Sequence, residues 1–187
     1  MVRRLVAVLA IALCVTTSAF AAQQGPEQHD LISLGAGYMD FDKTEKFTKS
    51  TDFRLEYRFG FSILPWISSS FAGGRQEITF HPFLGVEATS RNLIYGLGGF
   101  SMDWDFSDHG IFTWNEGIGY LDSGDHRSLG NTMEFRSQAE IGYRFDDDTR
   151  ITAQFSHISN AKTTRVNPGA EIIGMYVHVP VNEILGR

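Results

Sequence analysis

Asp52-Phe-Arg-Leu-Glu-Tyr-Arg-Phe-Gly-Phe61 decides the fold. Phe53, Leu55, Tyr57, Phe59 and Phe61 occupy one parity, and Asp52, Arg54, Glu56 and Arg58 the other. Alternation with period two is the signature of a β-strand, because successive side chains point to opposite faces. One face is therefore greasy and the other ionic. Glu134 to Phe145 repeats the pattern, with Phe135, Ala139, Ile141, Tyr143 and Phe145 opposed by Glu134, Arg136, Gln138, Glu140 and Arg144. The charges on the ionic faces have mixed sign and can pair.

Working outward, weaker alternation marks His29 to Asp40, Ile78 to Ala88, Leu93 to Trp104, Ile111 to Tyr120, Thr149 to Ser159 and Glu171 to Val181. Eight strands result. Between them lie turn and loop residues, notably Ser107-Asp108, Asp122-Ser-Gly-Asp125, Asp146-Asp-Asp148 and Asn167-Pro-Gly169, whose side chains or φ freedom suit reversals. There is no internal repeat beyond this rhythm and no low-complexity linker.

Composition agrees with an all-β protein. Of the 187 residues, 42% are hydrophobic and 20% charged, which excludes a disordered chain, while 19 glycines and 13% aromatics favour strands and turns over a helical bundle. Residues 1–21 read as a secretory signal: Arg3 and Arg4 precede a short apolar run, and Ala19-Phe20-Ala21 offers small residues at the spacing of a cleavage site. Leu13 before Cys14 does not suit lipidation. Residues 22–187 then form one domain. Cys14 is the only cysteine, so the exported domain has neither disulfides nor thiolate metal ligands. The formal charge is −6 and becomes −8 once Arg3 and Arg4 are removed. No basic field remains for nucleic acid.

A soluble sandwich or lipocalin-like barrel would turn the greasy face inward, and a membrane barrel would turn it outward. Alternation alone does not separate them. The signal peptide, the strand lengths near the ~9–11 residues that cross a bilayer and the terminal aromatics favour the membrane form: an eight-stranded antiparallel transmembrane β-barrel, whose interior is filled by side chains and so disfavours transport. Two features count against it: Ile184-Leu-Gly-Arg187 lacks a terminal aromatic, and Ser62 to Gln76 is poorly patterned.

The seventh strand carries Ile151, Ala153 and Phe155 on its greasy face and then His157 and Ser159 on the same face. Polar side chains there are costly if that face meets lipid, which suggests function; the alternative is that both lie above the hydrocarbon. Glu171 shares the greasy face of the eighth strand with Ile173, Met175, Val177 and Val179. A symmetric closure of the connection from Asn160 to Ala170 pairs Ser159 with Glu171 and puts His157 diagonal to the carboxylate. Hydroxyl, imidazole and carboxylate are the parts of a nucleophile, a base and its orienter. Asn160 and Asn167, or a backbone N–H of the turn, can supply an oxyanion stabiliser. With a serine and a carboxylate as partners for His157, neither metal nor cofactor is expected.

Phe155-Ser-His-Ile-Ser-Asn-Ala161, then Asn167-Pro-Gly-Ala-Glu171 and a strand ending at Pro180, resembles the outer-membrane lipid A 3-O-deacylases. The specific resemblance covers roughly residues 134 to 180. It implies an eight-stranded barrel in the Gram-negative outer membrane, with a Ser-His-Glu triad at Ser159, His157 and Glu171 facing the outer leaflet. It further implies an oxyanion role for Asn167, with Asn160 following the nucleophile and Phe135 matching a functional aromatic. Lys162 stands where some relatives have glycine. With both termini periplasmic, the seventh strand ends and the eighth begins at the cell surface. Lipid A, as lipopolysaccharide, is then the partner, its ester-linked 3-hydroxyacyl chain lying along Phe155, Ile173 and nearby side chains. Two other readings stay open: a noncatalytic barrel acting in adhesion or envelope integrity, and a phospholipase or acyltransferase using the same triad. The sequence leaves open a homodimer.

Overall fold

The computed structural model describes residues 28–43, 49–65, 67 and 77–186. The expected leader, residues 1–21, and most of the stretch from Ser62 to Gln76 lie outside the described residues. Eight strands follow one another: β1 (Leu31–Met39), β2 (Ser50–Arg58), β3 (Glu77–Thr89), β4 (Ile94–Asp105), β5 (Gly110–Asp122), β6 (Met133–Arg144), β7 (Arg150–Ser159) and β8 (Ala170–Pro180). Each pairs antiparallel with its neighbour in the chain, and β8 closes on β1. A short helix, α1 (Val181–Leu185), follows β8. All eight segments marked by alternation are strands, with ends shifted by a few residues. β2, for example, stops at Arg58, because the Gly60 N–H turns aside to the Asp30 carboxylate at 2.6 Å.

The greasy face is the outer one. Phe53 is 56% exposed, whereas Arg54 beside it is 4% exposed. Leu34, Leu84, Ile118, Ile141 and Met175 are likewise exposed. A continuous apolar outer wall needs hydrocarbon around it, so the molecule is a multi-pass membrane barrel of the outer-membrane kind. The helix among the described residues is too short to cross a bilayer; the strands do the crossing. Aromatic clusters mark the end of the barrel where β1 begins and β8 ends: Tyr57 with Phe59, Phe59 with Phe61, Trp104 with Phe106, and Tyr143 with Phe145. Tyr57, Trp104 and Tyr143 combine an apolar ring with a polar tip, which suits the bilayer interface, and the phenylalanines pack against them.

Inside, the ionic faces pair. Arg136 donates to Glu56 at 2.5 Å, Arg58 to Glu140 at 2.5 Å, and Arg54 to Asp52 at 2.5 Å and to Ser156 at 2.9 Å. Buried charges are costly unless satisfied in this way; the Glu134 carboxylate, buried with no ion-pair partner among the described residues, is the exception. The lumen is therefore filled, not open.

Strand stagger decides where the site lies. A path perpendicular to the strands runs from Leu31 through Arg58, Phe83, Gly99, Gly117, Arg136 and Ile158 to Ala170. Since Ile172 faces Met39, that path returns to β1 just beyond its end. The shear is thus about ten residues, which tilts the strands by about 40°. Rows of cross-strand neighbours consequently slope through the membrane.

Candidate active site

His157 and Glu171 are direct cross-strand partners in the β7–β8 ladder. The expected pairing of Ser159 with Glu171 is corrected by one residue pair. The last pair is Ile158 with Ala170, so the ladder closes one residue earlier on β7 than expected, and Gly169 just outside it has a left-handed backbone (φ +60°) with its carbonyl held by the Arg127 guanidinium. A slip of two residues along a strand preserves parity, so His157, Ser159 and Glu171 still share the outer face.

Nδ1 of His157 lies 3.1 Å from Oε1 of Glu171. A carboxylate only accepts, so the proton of neutral His157 sits on Nδ1 and Nε2 keeps a free lone pair. No hydrogen bond engages that nitrogen or the Ser159 hydroxyl among the described residues. Ser159 lies two residues further along the same strand face and makes no hydrogen bond to that nitrogen, while a ring oriented by a carboxylate with its far nitrogen free has the arrangement of a general base.

Glu171 is held from its other side. Lys43, in the connection after β1, donates to Oε2 at 2.8 Å and to Asp42 at 3.0 Å. The hydrogen bond to Glu171 raises the Lys43 pKa above the usual ammonium value; partial desolvation opposes this, and Asp42 reinforces it. The Asp40 backbone N–H caps the Glu171 carbonyl at 2.7 Å. Burial pushes the Asp40 carboxyl up, but hydrogen bonds from His126 and Arg127 outweigh it and hold the pKa below the ordinary value. Arg127 thus ties Asp40 to Gly169 and braces both strand ends around Glu171. Asp40, Asp42 and Glu171 bring carboxylate oxygens within 4.8 Å of one another, but the Lys43 ammonium already bonds two of the three groups.

Beyond Ser159 the chain reverses through Asn160–Thr163, where the Thr163 N–H meets the Asn160 carbonyl at 3.0 Å. Ala161 (φ 51°) and Lys162 (φ 63°) are both left-handed, an uncommon state for residues with a Cβ. Lys162 therefore holds the conformation that a glycine would supply there. The backbone N–H groups of Ala161 and Lys162 have no hydrogen-bond partner among the described residues. Asn160 is fully buried, and its amide donates to the carbonyls of Leu129 and Val166. Its backbone N–H goes to Oδ1 of Asn167 at 3.1 Å, which leaves the Asn167 NH2 as the unengaged side-chain donor of the pair.

The apolar candidates flank these groups. Phe135 on β6 faces Ser159, and Phe155 faces Ile173 one row below His157 and Glu171. Phe41 packs edge-on against Phe155 with ring centroids 6.3 Å apart. All are on the outer wall. Ser156 points inward and accepts from Arg54, as its parity requires. Sequence reading missed Lys43, Asp40 and Arg127, since Lys43 and Glu171 stand 128 positions apart and no local pattern links them.

A closed, side-chain-filled barrel with an apolar outer wall and a polar cluster on that wall defines an outer-membrane barrel whose candidate site faces lipid. The chain belongs to the lipid A 3-O-deacylase (PagL) family, whose model matches residues 32–180. Among solved structures, one described as the outer membrane enzyme PagL is similar at a TM-score of 0.62 and 14% identity, covering 80% of this chain and 99% of that one. A de novo designed transmembrane β-barrel is similar at 0.52 and 14% identity, over 84% of this chain and 100% of the other. At these identities the likeness concerns the fold. Comparison with curated protein sequences finds no match.

Proposed function

We propose that the protein is an esterase that removes the ester-linked 3-hydroxyacyl chain at position 3 of lipid A, with Ser159 as nucleophile, His157 as base and Glu171 as orienter. The observation that carries this reading is the His157–Glu171 pair on the lipid-facing wall, with Nε2 and the neighbouring Ser159 hydroxyl both free. Ser159 Oγ gives its proton to His157 Nε2 and bonds to the acyl carbonyl carbon. Collapse of the tetrahedral intermediate breaks the ester C–O bond, and His157 returns the proton to the departing sugar oxygen. Water then attacks the acyl-serine, again through His157, releasing the 3-hydroxy acid and restoring Ser159.

The oxyanion that forms twice in this cycle needs N–H donors. Asn167 Nδ2 and the free backbone N–H groups of Ala161 and Lys162 are the candidates, with Asn160 holding the turn together. Phe135, Phe155 and Ile173 line the acyl chain's course. With the termini periplasmic, the connection after β7 lies at the cell surface, where lipopolysaccharide is the lipid within reach.

Mass spectrometry of lipid A from cells expressing the protein tests the reading. Loss of one 3-hydroxyacyl mass, absent with Ser159→Ala, is the expected result. A gained acyl chain would make the protein an acyltransferase, and unchanged lipid A would return it to the noncatalytic or phospholipase classes.

A further inference from the structure

Polar side chains on the outer wall are not scattered. Apart from Thr51 and Asp122 at strand ends, the non-aromatic polar residues facing outward from the described strands are Glu116, Ser137, His157, Ser159 and Glu171. Four of them are successive cross-strand partners: Glu116 faces Ser137, Ser137 faces His157, and His157 faces Glu171. The proposed triad accounts for Glu171, His157 and Ser159. It does not account for Glu116 and Ser137, which continue the row across two further strands.

The slope of that row adds to the puzzle. Because the shear raises cross-strand rows from β5 toward β8, Glu116 sits about 10 Å deeper in the membrane than Glu171. A carboxylate on a lipid-facing wall at that depth is expensive. Here both oxygens are engaged: Trp114 Nε1 donates to Oε1 at 2.8 Å, and the Ser137 hydroxyl donates to Oε2 at 2.9 Å. Ser137 has spent its only proton on Glu116, so its oxygen offers lone pairs alone. The pair is a hydrogen-bond acceptor of defined direction, set against the triad.

We propose that Ser137, oriented by Glu116, is the subsite that recognises the 3-hydroxyl of the acyl chain being cleaved. This rests on the esterase reading above and extends it to the choice of acyl chain. Ser137 is the direct neighbour of His157 and the diagonal neighbour of Ser159, at a Cβ separation of about 7–8 Å. An acyl chain bonded through its carbonyl carbon to Ser159 and descending between β6 and β7 has its third carbon about 2.5 Å further on. A hydroxyl there, with one hydrogen bond of about 2.8 Å, spans the remaining distance to Ser137. Below this point the small side chains of Ala139 and Ala153 leave room for the chain to continue along β6 and β7. Water does not compete for Ser137 in hydrocarbon, so one hydroxyl can decide which ester is cleaved.

The test compares a 3-hydroxyacyl ester with the matching plain acyl ester of one detergent-dispersed glycolipid. The full-length barrel should favour the hydroxylated ester about tenfold in kcat/KM, the size of one well-placed hydrogen bond. Ser137→Val should bring the ratio close to one, while Ser137→Thr, of the same shape but with the hydroxyl restored, should keep most of it. Each ratio is taken within one preparation, so differences in folded yield cancel. A wild-type ratio near one, or Ser137→Val with the wild-type ratio, overturns the subsite and leaves the esterase standing. If the wild-type protein cleaves neither ester, the esterase reading itself falls.

Discussion

The ammonium of Lys43 and the imidazole of His157 share one carboxylate: Glu171 accepts the former at Oε2 and the latter at Oε1. Lys43 is thus a positioning residue, restricting the rotamer in which Glu171 meets Nδ1. Glu171→Ala should lower kcat on a lipid A substrate by about 10²-fold or more, since the ring loses its orienter. Lys43→Met should cost only several-fold, because Glu171 keeps its cross-strand place opposite His157. Equal losses in the two variants, measured on barrels of verified heat-modifiable gel mobility, would mean that Lys43 acts directly on the substrate.

The two hydroxyls beside His157 differ by face. Ser159→Ala should abolish release of the acyl chain, because the attacking oxygen is gone. Ser156→Ala removes an interior acceptor from Arg54 and should cost about 1 kcal/mol of stability while most turnover survives. Quantifying free 3-hydroxy acid for both variants checks the assignment, and Ser159→Ala at the wild-type rate would end the covalent mechanism.

Gly169 packs its backbone against the imidazole. A side chain at 169 would place its first carbon 2.6 Å from Cε1 and 3.4 Å from Nε2 of His157, on a backbone with φ +60°. Gly169→Ala should therefore assemble as a barrel yet lose at least tenfold in kcat, as the ring is pushed from its partner and strain of about 1 kcal/mol is added. Full activity in this variant would show that the ring has slack.

Asp40 gives a pH-dependent prediction. Its pKa is lower in the folded barrel than the ordinary 3.8, so its contribution is complete above that value and is lost as pH falls toward the folded pKa. Asp40→Asn should be less stable than wild type by about 2 kcal/mol at pH 7, the scale of hydrogen bonds to charged groups. The difference should shrink below about pH 4. Guanidinium unfolding in detergent micelles at both pH values measures it, and a gap independent of pH would assign the loss to shape alone.

The order of the strands, their faces and the common face of His157, Ser159 and Glu171 were all legible in the sequence. Parity is a local property: Asp52 to Phe61 alternates whatever lies beside it, and a slip by whole residue pairs leaves each side chain on its face. That Phe53 points to lipid and Arg54 to the lumen did not follow from alternation, which a soluble fold of the opposite sense shares; the expected signal peptide, strand lengths and terminal aromatics pointed that way, and the closed barrel bears it out. Register also lay beyond local pattern. His157 stands opposite Glu171 because the last β7–β8 pair is Ile158 with Ala170, and the left-handed Gly169, gripped by Arg127 from the β5–β6 connection, lies just outside that pair. Lys43 reaches Glu171 because β8 closes on β1, and Glu116 reaches Ser137 because the shear aligns residues of adjacent strands. Contacts of that kind depend on strand stagger and closure, which belong to the barrel as a whole and are not written in any one segment.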